Sequence, residues 1–216
     1  MELPSYPSTA RNKIFISEVL RSCLPKNGTV LETASGTGEH ISFFCEEFPK
    51  LVWQPSDKSN ELFWAIRERT DSVENVKKPV VIDLLTESFR VMKENYVGVV
   101  NINMIHIAPW DACLGLFRLA REVISPDGFV YLYGPFKVGG SHSSESNNKF
   151  DISLRDRNSS WGVRNLEDVI SIAKNCGFFY YDVYEMPVNN KSVIFKKNNQ
   201  ANITVKTRET NRVLNS

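Results

Sequence analysis

Residues 30–38 read VLETASGTG, a short apolar run that passes through an acidic residue into a turn with two glycines. Apolar residues at helical spacing, from Ile41 to Phe48, follow the turn. Glycine has no Cβ, so Gly36 and Gly38 can adopt positive φ and let backbone amides approach a ligand closely. The start of the following helix adds unpaired N–H groups that attract anionic groups. The stretch therefore predicts a nucleotide-cofactor loop between a strand and a helix.

Two further acidic residues end later strand-like segments. Asp57 ends the run LVWQPSD at residues 51–57, and Asp83 ends PVVID at residues 79–83. In a doubly wound sheet, strands alternate with helices and ligands bind at the carboxyl ends of the strands. We therefore expect Glu32, Asp57 and Asp83 to lie at one edge of the sheet, beside the glycine loop.

The alternation of strands and helices continues toward the C-terminus. Strands are predicted at residues 97–103 and 129–133, with a helix at 111–123 between them. A helix at 166–176 and two strands joined by a turn at 187–190 complete the pattern. The sequence thus predicts an α/β fold, Rossmann-like, with a seven-stranded, mostly parallel sheet and a C-terminal antiparallel hairpin.

Residues 1–197 are predicted to form a single domain, because no linker interrupts them. Within it, residues 137–164 are polar and rich in Gly, Ser and Asn, with isolated large residues such as Phe150 and Trp161. A long loop or small insertion of this kind is usually functional or disordered, and the embedded aromatic residues favour a lid or substrate insertion. Residues 198–216 are polar and are predicted to be a disordered tail.

The composition is typical of a soluble globular protein, with 42% hydrophobic and 24% charged residues among 216. The net charge is +1 and no dense basic run occurs, which argues against long nucleic acid as a partner. Without a signal peptide or a membrane-spanning apolar stretch, we expect a cytoplasmic protein with no membrane partner. The four cysteines form no close-spaced pairs, so we expect neither disulfides nor a metal site. The sequence leaves the oligomeric state open.

The predicted order of elements, with the motif ExAxGxG at residues 32–38, resembles the class I S-adenosylmethionine (SAM) methyltransferases. The resemblance implies that the loop and its acidic residue, Glu32, hold the methionine end of SAM as the cofactor. It also implies that Asp57 binds the ribose and that Asp83 meets the adenine. Ala34 departs from the family, which usually has glycine there, although alanine also leaves little bulk near the ligand.

A nicotinamide dinucleotide is the alternative ligand for such a loop. Its fingerprint requires a third glycine three residues after the second, so that helix and strand pack closely around a pyrophosphate. That position is Ile41, and a branched side chain would obstruct the close approach. SAM has no pyrophosphate, so this position favours methyl transfer over hydride transfer.

A narrower resemblance is to the family of methyltransferase-like protein 26, a group of class I methyltransferase-like proteins. It extends from about residue 10 to residue 197. The matching stretches include RNK at 11–13, WQPSD at 53–57, NINMIHIAPW at 101–110, YGPFK at 133–137 and WGVR at 161–164. This resemblance identifies a family without implying a particular reaction or substrate.

Asn103 and His106 follow the fourth strand, at the edge where ligands bind. An amide there could hold the carboxylate of SAM or the acceptor group, and a neutral imidazole could remove a proton from the acceptor. Alternatively, His106 only caps the loop before Trp110, because methyl transfer from a sulfonium often needs positioning more than a base. Arg11, ahead of the first helix, could pair with a carboxylate of the cofactor or substrate, or could be a solvated cation.

The other histidines and several aromatic residues have less specific interpretations. His40 is predicted to pack close to the cofactor, and His142 to be a solvated loop residue. Tyr133, Phe136, Phe150 and Trp161 could together close an acceptor pocket, although core packing explains each singly.

Together these patterns predict SAM-dependent, direct in-line methyl transfer to a small molecule or a peptide side chain. Because fold does not imply function, a catalytically inactive SAM-binding scaffold or sensor is the alternative hypothesis.

Overall fold

The computed structural model describes residues 2–86 and 95–198. The elements of the first half are α1 (Pro7–Cys23), β1 (Gly28–Thr33), α2 (Glu39–Glu47), β2 (Leu51–Asp57), α3 (Phe63–Thr70), β3 (Val80–Val81) and β4 (Tyr96–Ile102). Those of the second half are α4 (Trp110–Val123), β5 (Ile124–Gly134), β6 (Phe136–Val138), β7 (Ser141–His142), α5 (Glu145–Arg157), β8 (Arg164–Asn165), α6 (Leu166–Asn175), β9 (Phe178–Met186) and β10 (Asn190–Lys197). A 3₁₀ turn at Pro187–Asn189 joins β9 to β10.

The main sheet has seven strands in the order β3-β2-β1-β4-β5-β10-β9. Strands β1 to β5 run parallel, and β10 pairs antiparallel with both β5 and β9. The predicted fold class is therefore confirmed. The strand order reverses between β1 and β4, and in such sheets the crevice at the carboxyl ends of the strands beside that reversal is where ligands bind.

Helices cover both faces of the sheet, which explains why its central strands are continuous apolar runs rather than alternating ones. Val30 of β1 packs in one core with α1 and α2, whereas its neighbour Leu31 packs in the other core with α4 and α6. Both side chains are fully buried, so β1 is fixed between two hydrophobic layers. The loop that leaves β1 therefore starts from a rigid base.

Some predicted boundaries differ from the structure. The third strand, predicted over residues 79–83, is only two residues long. Within residues 2–86 and 95–198, β3 pairs only with β2, through Ser56 and Asp57. The short amphipathic stretch that the sequence predicts near Phe89 and Met92 lies outside the described residues, as does most of the predicted tail, residues 199–216. No helix in the described part of the chain is long and apolar enough to cross a membrane.

Of the two forms predicted for residues 137–164, a long loop or a small insertion, the structure has the second. These residues contain helix α5 and most of a three-stranded sheet in the order β7-β6-β8. Ser144 caps α5 by accepting a hydrogen bond from the backbone N–H of Asn147, at 3.2 Å. The buried residues of α5 are Asn147, Asp151 and Leu154, which share one helix face. Because two of the three are polar, an apolar periodicity could not reveal this helix.

Candidate active site

The glycine loop leaves the carboxyl end of β1 with three residues in the left-handed region: Ala34 at φ 56°, Gly36 at 53° and Gly38 at 80°. This conformation strains an alanine, which gives a physical reason for the glycine usual at that position. A Cβ on Gly38 would lie 3.0 Å from the Cα of Ile66, so α3 closes the loop from behind. A Cβ on Gly36 would meet no atom within 4 Å. The loop is therefore open at Gly36.

Hydrogen bonds hold the loop against β2. The backbone N–H of Ser35 donates to the carbonyl of Ser56 at 2.8 Å, and the hydroxyl of Ser56 donates to the carbonyl of Glu32 at 2.8 Å. The N–H of Gly36 donates to the Asp57 carboxylate at 2.9 Å. The structure thus brings Glu32, Gly36 and Asp57 into one cluster, as the sequence predicts.

Glu32 is almost completely buried, with 2% of its surface exposed. Its Oε2 atom has no hydrogen-bond partner among the described residues. Burial is the main cause that raises the pKa of Glu32 to about 7; a hydrogen bond from Ser35 opposes the rise, and the charge of Asp57 adds to it. A buried polar atom without a partner is costly, so it points to a donor or cation that completes the site.

The titration of Glu32 predicts a pH-dependent stability. Between pH 4.5 and about 7 the folded protein keeps a proton on Glu32 that the unfolded chain has lost. The free energy of unfolding therefore falls as pH rises through this window, by roughly 3 kcal/mol. Glu32→Gln removes this titration. When the pH is raised from about 5 to about 8, we therefore expect the unfolding free energy of the variant to rise relative to that of the wild type.

Urea unfolding of both proteins at the two pH values measures this gain. Glu18→Gln, on the exposed side of α1, is the matched control and should follow the wild type. Parallel pH dependences of wild type and Glu32→Gln would contradict the assignment of a buried, proton-holding carboxyl.

Asp83 lies beyond the short strand β3, next to β2. The N–H of Ile82 donates to the backbone carbonyl of Asp57 at 2.8 Å, so Asp83 directly follows a residue that is bonded to Asp57. The Asp83 carboxylate accepts the N–H of Leu85 at 2.9 Å. Among the described residues, no hydrogen bond joins the carboxylate of Asp83 to Glu32 or Asp57, so its role toward a ligand stays a prediction.

Asn103 and His106 meet at the ends of β4 and β5. Asn103 has a φ of 60°, and its N–H donates to the carbonyl of Tyr133 at 2.9 Å. A Cβ added to Gly134 would lie 2.9 Å from Cε1 of His106 and 3.6 Å from Oδ1 of Asn103. Both predicted side chains therefore lie against Gly134, at the carboxyl edge of the sheet, where ligands bind in folds of this type.

His106 is 3% exposed, and its Nδ1 has no hydrogen-bond partner in the described part of the chain. Burial, together with the charge of Arg164, lowers the pKa of His106 to about 3. The imidazole is therefore neutral near pH 7 and a weak proton acceptor. The ring of Phe150 packs edge-on against the imidazole, with the ring centroids 5.7 Å apart. The N–H of Gly162 donates to the backbone carbonyl of His106 at 2.9 Å.

The prediction that Arg11 precedes the first helix is wrong, because α1 begins at Pro7 and Arg11 lies within it. Arg11 is exposed, and its charge acts on Tyr133 of β5. The neighbouring Asn12 is buried and bonded to Nε2 of His40 at 2.9 Å. His40 stacks on Phe44 at 5.7 Å, and burial lowers its pKa to about 3, as expected of a packing residue. The structure thus places Arg11 toward the β5 side of the site, and its binding role stays a prediction.

The expectation that His142 is solvated is wrong. Its side chain is 17% exposed, and its Nε2 lies 3.2 Å from Oδ2 of Asp151. The reason is α5, which brings the buried Asp151 onto β7. Asp151 also accepts hydrogen bonds from Nε of Arg155 at 3.2 Å and the N–H of Val163 at 2.8 Å.

Arg164 is a further residue that sequence reasoning did not assign to the site. Its guanidinium donates to the carbonyls of Ile105 at 2.9 Å, Ala108 at 2.5 Å and Ser160 at 2.9 Å. It therefore fixes the loop that carries His106. The only sequence signal for it is the WGVR stretch at 161–164, which says nothing about these carbonyl contacts.

A family model described as "Protein of unknown function (DUF938)" matches residues 3–197. Human N-acetylserotonin methyltransferase in complex with SAM is similar in structure, with a TM-score of 0.74 at 10% identity, over 89% of this chain and 53% of that one.

Two further structures are similar to this chain. The calicheamicin-biosynthesis methyltransferase CalO1, in its SAH-bound form, has a TM-score of 0.72 at 15% identity, over 87% of this chain and 54% of that one. An O-methyltransferase family protein from Burkholderia thailandensis has a TM-score of 0.73 at 13% identity, over 89% of this chain and 58% of that one. The chain thus spans little more than half the length of these proteins, and at such identities the likeness establishes the fold alone.

Proposed function

The chain belongs to the DUF938 family, and we propose that it is a SAM-dependent methyltransferase. The observation that carries this proposal is the buried, unpaired Oε2 of Glu32 beside Asp57 and the open loop at Gly36. A small molecule or a peptide side chain would be the methyl acceptor. The narrower resemblance to the family of methyltransferase-like protein 26 agrees with this proposal.

The residues present fit SAM. Glu32 offers an acceptor for the cofactor's amino group, directly or through the loop. Asp57 suits the ribose hydroxyls, and Asp83 is available for the adenine. When bound, SAM supplies a methyl group on a sulfonium, which a nucleophile can displace directly. Two similar structures hold SAM or SAH, which supports this choice of cofactor for the fold.

The groups at the ends of β4 and β5 would act on the acceptor. Asn103 can bind an acceptor group or the SAM carboxylate through its amide, and the neutral His106 can orient the acceptor. The insertion, which packs on His106 through Phe150 and Gly162, would cover this part of the site and exclude water. Arg11 would contribute from the β5 side.

Isothermal titration calorimetry with SAM and with S-adenosylhomocysteine (SAH) tests the proposal. We expect one site per chain for each ligand, and a rise in melting temperature with ligand concentration. NAD serves as the control ligand and should give no heat. Absence of binding by both SAM and SAH would contradict the proposed function.

An inactive SAM-binding scaffold is the second candidate function. The weak basicity of His106 favours it, because the described residues provide no carboxylate that pairs with this histidine. Turnover separates the two candidates. If SAH binds but methyl-labelled SAM labels nothing in a cell extract, the scaffold function is supported over the enzyme.

A further inference from the structure

The acceptor side of the site, meaning the carboxyl ends of β4 and β5 with the insertion packed on them, has an excess of positive charge. Lys137, Arg155 and Arg164 lie around one buried carboxylate, Asp151. A second carboxylate, that of Glu167, accepts the N–H of Gly139 at 3.0 Å in the turn between β6 and β7. A Cβ on Gly162 would lie 2.7 Å from Nη2 of Arg155 and 2.8 Å from Oδ1 of Asp151, and the N–H of Gly162 binds the His106 carbonyl. Arg155 and Asp151 therefore lie next to the loop that carries His106.

The guanidinium of Arg164 binds the loop that carries His106 and is not paired with a carboxylate among the described residues. Its three hydrogen bonds go to backbone carbonyls, on both sides of His106 and at Ser160. In the ranges 2–86 and 95–198, no ion pair joins it to an acidic side chain. Its positive charge therefore lies beside His106 without a directly bonded counter-ion, in a partly buried setting where charge acts more strongly than in water.

The positive charge of Lys137 is only weakly neutralised by the carboxylate of Asp151. Its Nζ lies 3.9 Å from Oδ2 of Asp151, an oxygen already 3.2 Å from Nε2 of His142. The other oxygen of Asp151 is occupied by Arg155 and the N–H of Val163. Lys137 follows the end of β5 by three residues, so its charge is available near the ligand-binding edge of the sheet.

The same neighbourhood is poorly equipped to remove a proton from an acceptor. His106 is buried beside a guanidinium, and none of the described carboxylates contacts it. His142 is committed to Asp151, between Lys137 and the helix that carries Arg155. Burial and the nearby guanidinium of Arg164 stabilise the neutral form of His106, so this imidazole holds an abstracted proton weakly.

We infer that the methyl acceptor is a carboxylate, which reacts as its anion to form a methyl ester. This rests on the proposed methyltransferase function. A lone pair of the carboxylate oxygen forms the new O–CH₃ bond, and the C–S bond of the sulfonium breaks with its electron pair going to sulfur, which yields SAH. No proton is transferred. Carboxylates are ionised at neutral pH, whereas phenols, alcohols and alkylammonium groups must first lose a proton. The cations would attract such an anion.

Transfer from methyl-tritiated SAM tests the inference. The probes are benzoate, phenol and benzylamine as a matched set, together with the low-molecular-weight and protein fractions of a cell extract. Products are treated with alkali, which hydrolyses methyl esters and releases volatile labelled methanol. We expect alkali-labile label in an extract fraction, and in benzoate rather than phenol or benzylamine if a simple aromatic acid fits the site.

The outcomes separate the inference from the proposed function. Label that is stable to alkali would overturn the carboxylate acceptor and leave the methyltransferase proposal standing. No label in any fraction, with SAM still bound in calorimetry, would overturn both turnover and the inference. A transfer rate that rises steeply from about pH 6 to about pH 9 would also contradict it, because a carboxylate is ionised throughout that range.

A charge variant gives a second readout. Lys137→Met should reduce ester formation from a fixed amount of extract at least about fivefold, with SAM affinity unchanged. Lys149→Met is the matched control, because Lys149 is exposed and pairs with Glu145 on the outer surface of α5. Equal rates for both variants and the wild type would contradict a role for the positive charge.

Discussion

Replacing Asp57 with alanine is expected to weaken SAM binding by about 100-fold. The Asp57 carboxylate accepts the N–H of Gly36 at 2.9 Å and lies beside Glu32, so it both anchors the loop and faces the proposed ribose site. Its removal leaves donors of the loop and of the ligand unpaired, which costs more than one ordinary hydrogen bond. Titration calorimetry with SAH gives the change in dissociation constant.

Asp71→Ala is the control for this prediction. Asp71 is an exposed residue at the end of α3. Its replacement by alanine removes the same charge from the chain as Asp57→Ala does, without touching the loop. Its affinity for SAH should match that of the wild type. An Asp57→Ala protein that binds SAH within about threefold of the wild type would contradict the assignment of Asp57 to the cofactor.

A methyl group on Gly36 is expected to abolish detectable SAM binding while leaving the chain folded. A Cβ there meets no protein atom within 4 Å, so it would point into the open side of the loop where the cofactor is proposed to lie. The backbone at φ 53° makes alanine cost about 1 kcal/mol, which a folded domain tolerates. Thermal unfolding and calorimetry of Gly36→Ala measure the two effects separately.

Gly139→Ala provides a close control for that variant. Gly139 has φ 57° and an equally open Cβ position, but it lies in the insertion between β6 and β7. It should show the same small loss of stability with unchanged SAM affinity. Equal SAM affinities of the two variants would place the cofactor away from the glycine loop.

The sequence predicted the α/β sheet and its loop because these depend on local patterns. The apolar run of β1 and the glycines after it show directly in the residues, and so do the acids that end later strands. Glu32 and Asp57 meet because neighbouring parallel strands end at the same edge, which follows from the fold class alone. Ala34, which departs from the glycine pattern, still has a left-handed backbone conformation that favours glycine.

The insertion could not be predicted in the same way. Helix α5 buries Asn147 and Asp151, polar residues whose partners come from other elements. Only the folded structure shows that His142 and Val163 both contact Asp151, or that Arg164 holds the carbonyls around His106. Burial of His106, which determines its basicity, is likewise a tertiary property. These contacts join residues far apart in sequence, so periodicity and spacing carry no signal for them.

A crystal structure of the chain with SAH tests the central claim most directly. We predict that the adenosyl group lies over Gly36, with its ribose hydroxyls bonded to the carboxylate of Asp57 and the buried Glu32 satisfied by the ligand or a bridging water. Electron density for SAH anywhere else, with Oε2 of Glu32 still unpaired, would contradict the account.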